Sequence, residues 1–372
     1  MFVKSGEIAL YKKKLCGRMS VDRTTERIKN RQEGITIMKE KYVAYVGTYT
    51  HGSSIGIHLY DVNVEEGTMT ERKVVPVNNS SHLAISVNGK YLYSIADEGV
   101  AVFAIEPDGD LTFINKVGID GMRGCHLSTD TKGKYLYVAG YHDGKVTVVH
   151  THRDGRLGSV MDVSCVRPTP DGKYLCAVDN GIDQIKIYRP TERTSKLDLV
   201  DVLRCVRESG PRLIKFSPNG KFAFVNYELK NEIQVYSYDG SGKNPKFELL
   251  QTESTLASHE DEAHDATSGM CLSEDGKYLF TSTAGENTVA MYKVDEETGH
   301  IERQFVLPIS GEYPKDLDVF PDGRHLAVVN HESNSITTFS IDYEKKLLIM
   351  KGKPLKVETP NSIIFHKCDY AE

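Results

Sequence analysis

The stretch Pro170-Asp-Gly-Lys-Tyr-Leu175 recurs along the chain, and its recurrence decides the fold. Variants of it stand at Asn88-Gly-Lys-Tyr-Leu92, Lys132-Gly-Lys-Tyr-Leu136, Pro218-Asn-Gly-Lys-Phe-Ala223, Glu274-Asp-Gly-Lys-Tyr-Leu279 and Pro321-Asp-Gly-Arg-His-Leu326. The six turn glycines, Gly89, Gly133, Gly172, Gly220, Gly276 and Gly323, lie 44, 39, 48, 56 and 47 residues apart. A period in the forties, built from strand-like segments, is the mark of a propeller or solenoid with one supersecondary unit per repeat.

Every repeat has the same internal order. A short apolar strand such as Leu213–Phe216 runs into a turn carrying Asn-Gly or Asp-Gly, a strong hairpin signal. A second strand follows, apolar and aromatic, as in Tyr174–Val178 and Phe222–Asn226. A third alternates, as in Gln184–Tyr188 and Glu232–Tyr236, and a fourth is suggested by weaker runs such as Leu111–Val117. Four antiparallel strands per repeat make a propeller blade. A seventh copy opens the chain: Lys41–Tyr49 matches a second strand with no first strand before it. The missing first strand is Thr359–Phe365, which no second strand follows. Pairing the two ends in one blade removes exposed sheet edges. The expected fold is therefore all-β, a seven-bladed β-propeller of four-stranded antiparallel blades closed by its N- and C-terminal segments. The absence of Trp argues against the WD-type propeller.

Composition narrows the function. The chain has 372 residues and a formal net charge of −6. Its first forty-one residues hold eleven Lys or Arg against five acids, so the remainder is strongly acidic and nucleic-acid binding is disfavoured. Residues 1–40 read as a basic, poorly ordered extension, with a short helix expected over Thr24–Ile37, and residues 41–372 as the propeller. The extension lacks the apolar core of a signal peptide and reads as sequence upstream of a start near Met38. No apolar run reaches membrane-spanning length. Seven scattered cysteines point to a reducing, cytoplasmic setting rather than a disulfide framework. The expected assembly is a monomer or weak oligomer. His259, His264 and the acids of Glu260–Asp265 read as a solvated loop rather than a metal site, and neither a Gly-x-Ser-x-Gly nor a phosphate-binding Gly-rich loop occurs.

The turn glycine also serves as a ruler. Eight residues before it and eight after it, the two strands of a hairpin reach the end opposite the turn. Because first strands line a propeller's channel, these positions crowd one mouth. The first ring reads Ser81, Cys125, Ser164, Arg212, Ser268 and Lys315; the second reads Asp97, Tyr141, Asn180, Glu228, Ala284 and His331, with Thr48 in the first blade. This register sets Arg212 beside Glu228 and Lys315 beside His331. Convergent Arg, Lys, Glu and His at a polar mouth suit catalysis on an anion, although an Arg–Glu pair could equally tie two strands together. His126, seven before its glycine like His82, could touch substrate or satisfy a backbone group.

Several motifs carry a resemblance. Tyr45-Val-Gly-Thr-Tyr-Thr50, Gly124-Cys-His-Leu-Ser128, Val166-Arg-Pro-Thr-Pro-Asp-Gly-Lys-Tyr-Leu175, Gly210-Pro-Arg212 and Asn330-His-Glu-Ser-Asn-Ser-Ile336 resemble the seven-bladed propeller lactonases over roughly residues 42–366. That family includes bacterial 6-phosphogluconolactonases and fungal carboxymuconate-lactonizing enzymes. The resemblance implies hydrolysis of 6-phosphogluconolactone in the pentose phosphate pathway, with no cofactor and no metal. It implies catalytic roles for Arg212 and Glu228, with Lys315 standing where the family has a second Arg. Either Glu228 or His126 would be the base, and Lys315 with Arg123 or Arg167 would hold a phosphate. His331 and Tyr141 complete the expected substrate contacts. The alternatives left open are a non-catalytic propeller binding a ligand or protein partner, and a muconate-type lactonizing enzyme.

The chain also departs from the family. The family's His ahead of the Cys165–Leu175 strand is replaced by Met161-Asp-Val-Ser164, Leu213 stands where Gly-Pro-Arg-His is usual, and Ala266-Thr-Ser-Gly269 replaces a His/Pro-rich lead. The short interval from Gly133 to Gly172 predicts a gap in the fourth strand of that blade or an incomplete site.

Overall fold

The computed structural model describes residues 40–368 except 98, 120–122, 141–145, 153, 155–156, 163–166, 191–196 and 258–263, and leaves out the side chains of 146 and 158–162. The basic extension, its expected helix and Tyr141 thus lie outside the described residues. Seven antiparallel sheets follow one another. Blade 5 illustrates the unit: Pro211–Phe216, Phe222–Tyr227, Glu232–Asp239 and Lys246–Ser254 pair in chain order. Blades 2, 3, 4, 6 and 7 begin at Leu83–Ile85, His126–Thr129, Arg167–Pro168, Ala266–Leu272 and Pro314–Val319. Blade 7 carries a short extra segment, Leu355–Lys356, on its third strand.

The turn explains the repeat. Phe222 N donates to Ser217 Oγ at 3.0 Å, Gly220 N to the Ser217 carbonyl at 2.9 Å, and Lys221 N to Asn219 Oδ1 at 3.0 Å. Gly220 sits at φ +71°, a left-handed conformation where a side chain is strained. The glycine therefore closes a four-residue loop, 218–221, rather than a two-residue turn.

The core lies between blades. Second strands are covered on both faces by neighbouring blades, so Phe222–Tyr227 is buried at every residue. This is why these strands read as continuous apolar runs instead of alternating ones. Tyr174, Cys176, Ile214, Val225 and Tyr227 pack blade 4 on blade 5. Phe224, Val235, Met270 and Tyr292 pack blade 5 on blade 6.

Blade 1 is closed as expected. Tyr42–Thr48 pairs with Gly56–Asn63 on one side and with Pro360–Lys367 on the other, in register from Tyr42 opposite Lys367 to Thr48 opposite Pro360. The short repeat differs from expectation. The fourth strand of blade 3 is present as Leu157–Asp162, paired with Val146–Thr151. It is anchored from blade 2, where Asn115 exchanges hydrogen bonds of 3.1 Å with both the amide and the carbonyl of buried Leu157. The described part of the next first strand, in blade 4, is Arg167–Pro168.

Candidate active site

First strands expose one hydrogen-bonding edge to the channel, so their amides need side-chain acceptors. Ile363 N donates to Asp316 Oδ2 at 3.2 Å, and Leu127 N to His82 Nδ1 at 3.1 Å. The acceptors come from the preceding blade, Asp316 from its first strand and His82 from the residue just before it. The channel's polar lining is thus partly a consequence of the fold.

At the mouth the backbone departs from regular pairing. In blade 5 the register shifts between Pro211 and Leu213, leaving Arg212 as the extra residue; in blade 7 it shifts between Pro314 and Asp316, leaving Lys315. A bulge re-aims the side chain it carries, which turns both cations out of the strand's alternation. The lead into Arg212 is held by Asp183, whose carboxylate accepts the amides of Glu208, Ser209 and Gly210 at 2.7, 3.1 and 2.9 Å. Burial opposes its charge, but these donors outweigh it and keep the Asp183 carboxyl below its usual range. Gly210 stands at φ +62°, and a Cβ there would meet Leu229 Cγ at 2.7 Å. The Gly-Pro-Arg motif is required by this close approach.

Arg212 Nη1 donates to Glu228 Oε2 at 2.7 Å, as the ruler argument expected. Asn180 Nδ2 donates to the same oxygen at 3.1 Å. Among the described residues no donor reaches Oε1, so one carboxylate oxygen is fixed and the other is left for solvent or substrate. Burial works against charge on Arg212, but the adjacent Glu228 outweighs it and holds the guanidinium firmly protonated.

Lys315 Nζ lies 4.7 Å from the centre of the Tyr313 ring. Burial and the nearby Arg212 push its pKa down to about 8, against the opposing pull of Glu228 and Glu332. Tyr313 is left-handed at φ +57°, an uncommon state for an aromatic residue, fixed by Asn287 Oδ1 accepting its amide at 2.8 Å. His331 joins the same wall: its amide donates to the Tyr313 carbonyl at 2.9 Å and its ring meets Tyr49 edge-on at 5.8 Å. Arg123 lies over the other partner of that contact, 4.9 Å from the Tyr49 ring centre. Arg212, Glu228, Lys315, His331 and Arg123 therefore share one mouth, floored by tyrosines.

His126 and Arg167 sit deeper. They line a cavity of about 260 Å³ inside the channel, with His82, Lys215, Asp316 and Asp318. The His82 and His126 rings lie 4.2 Å apart, and His126 Nδ1 is buried with no hydrogen-bond partner among the described residues. Burial, His82 and the cations Arg167 and Lys215 hold His126 well below its ordinary pKa, so it is neutral and a weak base. A larger cleft of about 560 Å³ lies at the turn ends of blades 3 and 4, lined by Asp130, Lys132, Asp171 and Arg189, far from this chemistry.

Residues not singled out from sequence are Asn180, Tyr313, Tyr49 and Lys215. Asn180 was visible in the second ring, and Tyr313 through its place before Pro314. Lys215 carried no motif. No group of three His, Cys, Asp or Glu able to hold a metal occurs among the described residues.

The charge of Lys315 yields a pH prediction. Its amine is protonated below about pH 8 and neutral above it. Binding of an anionic product acid should weaken as pH rises from 7 to 9. Calorimetric titration of wild type against Lys315→Arg checks this, since Arg stays charged and should flatten the profile.

A family profile described as lactonase, 7-bladed beta-propeller, matches residues 43–365. The chain is 29% identical over 350 residues to the 6-phosphogluconolactonase of Bacillus subtilis, covering 87% of this chain and 98% of that protein. It is 26% identical to a 6-phosphogluconolactonase of Formosa agariphila, covering 86% and 98%. Among solved structures, the periplasmic gluconolactonase PpgL of Pseudomonas aeruginosa superimposes with a TM-score of 0.83 at 26% identity, covering 88% and 99%. With a matching profile across the whole propeller and the ring closed as that fold demands, the chain belongs to the seven-bladed β-propeller lactonase family.

Proposed function

We propose that this protein hydrolyses a sugar lactone, with 6-phosphogluconolactone as its substrate, releasing 6-phosphogluconate for the pentose phosphate pathway. The observation that carries the reading is the divided carboxylate of Glu228, with Oε2 taken by Arg212 and Asn180 and Oε1 open. A water hydrogen-bonded to Oε1 attacks the lactone carbonyl carbon and passes its proton to Glu228. The carbonyl electron pair moves onto oxygen, where the remaining Arg212 N–H groups stabilise it. Collapse breaks the ring carbon–oxygen bond, and Glu228 returns the proton to the departing ring oxygen. The product is the open hydroxy acid, and no other reactant is needed. Lys315 draws the anionic substrate to the mouth, and Tyr49, Tyr313 and His331 flank the sugar ring.

The printed names of the Bacillus and Formosa relatives support the substrate. The test is a lactonase assay with 6-phosphogluconolactone beside unphosphorylated lactones and a muconolactone. Acceleration above the spontaneous rate for a sugar lactone is the expected result. Binding of a sugar acid with no acceleration would instead identify a ligand-binding propeller.

A further inference from the structure

We propose that the channel cavity below the mouth seats the substrate's remote phosphate, with Arg167 and Lys215 as its ligands, so that the lactone stands along the propeller axis with its carbonyl at Arg212 and Glu228. The proposal rests on the lactonase reading of the mouth and adds an orientation and a specificity pocket to it. Arg167 and Lys215 each lie five residues before a turn glycine, Gly172 and Gly220, on the first strands of adjacent blades. They therefore stand side by side at one depth, and both line the cavity of about 260 Å³.

Two cations held together this way repel each other. Burial and Arg167 together lower the pKa of Lys215. The carboxylates in the same cavity do not relieve the repulsion by contact. Asp316 accepts the Ile363 amide, Asp318 accepts the Val319 amide at 3.0 Å, and both stand on blade 7, beyond blade 6 from Lys215. Among the described residues Lys215 makes no hydrogen bond or ion pair, so its ammonium faces the cavity. A phosphate between Arg167 and Lys215 would give the Lys215 ammonium a counter-charge, with the fork of Arg167 matching two of its oxygens. Burial pushes Asp316 up to about 6 and Asp318 up to about 7, so the facing wall carries reduced charge near neutrality. Asp316, seven residues before Gly323, stands nearer the mouth, where a sugar hydroxyl would reach it, while Asp318, five before, stands at the depth of Arg167 and Lys215.

The spacing fits the ligand. Lys215 follows Arg212 by three residues on one strand, on the order of 10 Å at 3.3 Å per residue before the bulge shortens it. Flexible side chains close on a ligand from both ends of that interval, and a six-carbon lactone phosphorylated at its far carbon bridges it. The mouth cations have other partners: Arg123 rests on Tyr49 and Lys315 on Tyr313. They fit the rim around the sugar better than a dianion's seat.

The experiment compares kcat/KM for 6-phosphogluconolactone and gluconolactone in wild type and four variants. Lys215→Gln and Arg167→Gln should each lower the phosphorylated-to-unphosphorylated ratio on the order of 10- to 100-fold, chiefly through KM. A ratio that falls instead in Lys315→Gln or Arg123→Gln, and stays at the wild-type value in the channel variants, would put the phosphate at the rim and overturn the proposal. Calorimetry on the wild-type protein needs no variant to fold: 6-phosphogluconate should bind at least about tenfold tighter than gluconate, and equal affinities would overturn it. Turnover of neither lactone would defeat the reading of the mouth, while the same calorimetry on Lys215→Gln beside Lys315→Gln would still decide the phosphate seat, since only the variant at the seat should lose the preference for 6-phosphogluconate.

Discussion

Glu228→Gln is expected to lower kcat/KM for the lactone by roughly 10²–10⁴-fold while leaving the fold intact. Gln keeps a carbonyl oxygen to accept from Arg212 and Asn180, so the local geometry is retained, but it cannot take a proton from water. Arg212→Ala acts on the other partner, removing the donor for the developing oxyanion at a cost of roughly 10²–10³-fold. Both side chains are mostly buried, at 26% and 21% exposed, so Arg212→Ala, which strands the Glu228 carboxylate, should cost more stability than Glu228→Gln, which keeps an acceptor for Arg212 and Asn180. The double variant should lose much less than the product of the two effects, because base and oxyanion donor act in one step. Steady-state kinetics with a thermal melt of each variant checks all three statements. Undiminished hydrolysis by either single variant would falsify the assignment of the site.

Removal of residues 360–372 should have the largest effect on stability. Pro360–Lys367 is the first strand of blade 1, and nothing else in the described chain can replace it. Pro360 and Ile363 are buried, and Phe365 packs on Phe320 with ring centres 4.6 Å apart. Each such apolar side chain contributes about 1.5–3 kcal/mol, so losing the strand removes a large share of the roughly 5–15 kcal/mol that holds a typical domain together. Polar contacts go with it: the Asn361 amide donates to the Ser81 carbonyl at 2.7 Å, and the Ile363 amide satisfies Asp316. The edge of Tyr42–Thr48 would then be open to pairing with another chain. The truncated protein should aggregate or lack a cooperative melt. A monomer on size-exclusion chromatography with the full-length Tm would refute the closure as the source of stability.

Much of this was legible from residues alone, for identifiable reasons. The turn glycines had to repeat because each closes a loop at positive φ, as Gly220 does at +71°, and that requirement is local. Counting from them placed Arg212 and Glu228 together correctly, because a hairpin brings residues equidistant from its turn side by side. The same counting did not settle the short second interval, from Gly133 to Gly172. It allowed for a gap in the fourth strand or an incomplete site, whereas that strand is present and the Asn115–Leu157 contact from the neighbouring blade anchors it. A contact between blades leaves no periodic trace in either.

The glycine register, the seven blades, the closure by both ends and the Arg212–Glu228 pairing were thus settled by the order of residues, since each depends on turns, strand periodicity or a single hairpin. Only the folded ring decided which oxygen of Glu228 stays open among the described residues, that bulges turn Arg212 and Lys315 out of their strands, that His126 is buried in the channel, and that Lys215 shares its cavity with Arg167. Those features arise where strands from different blades meet around one axis. Their burial and charge balance exist only once the ring is closed.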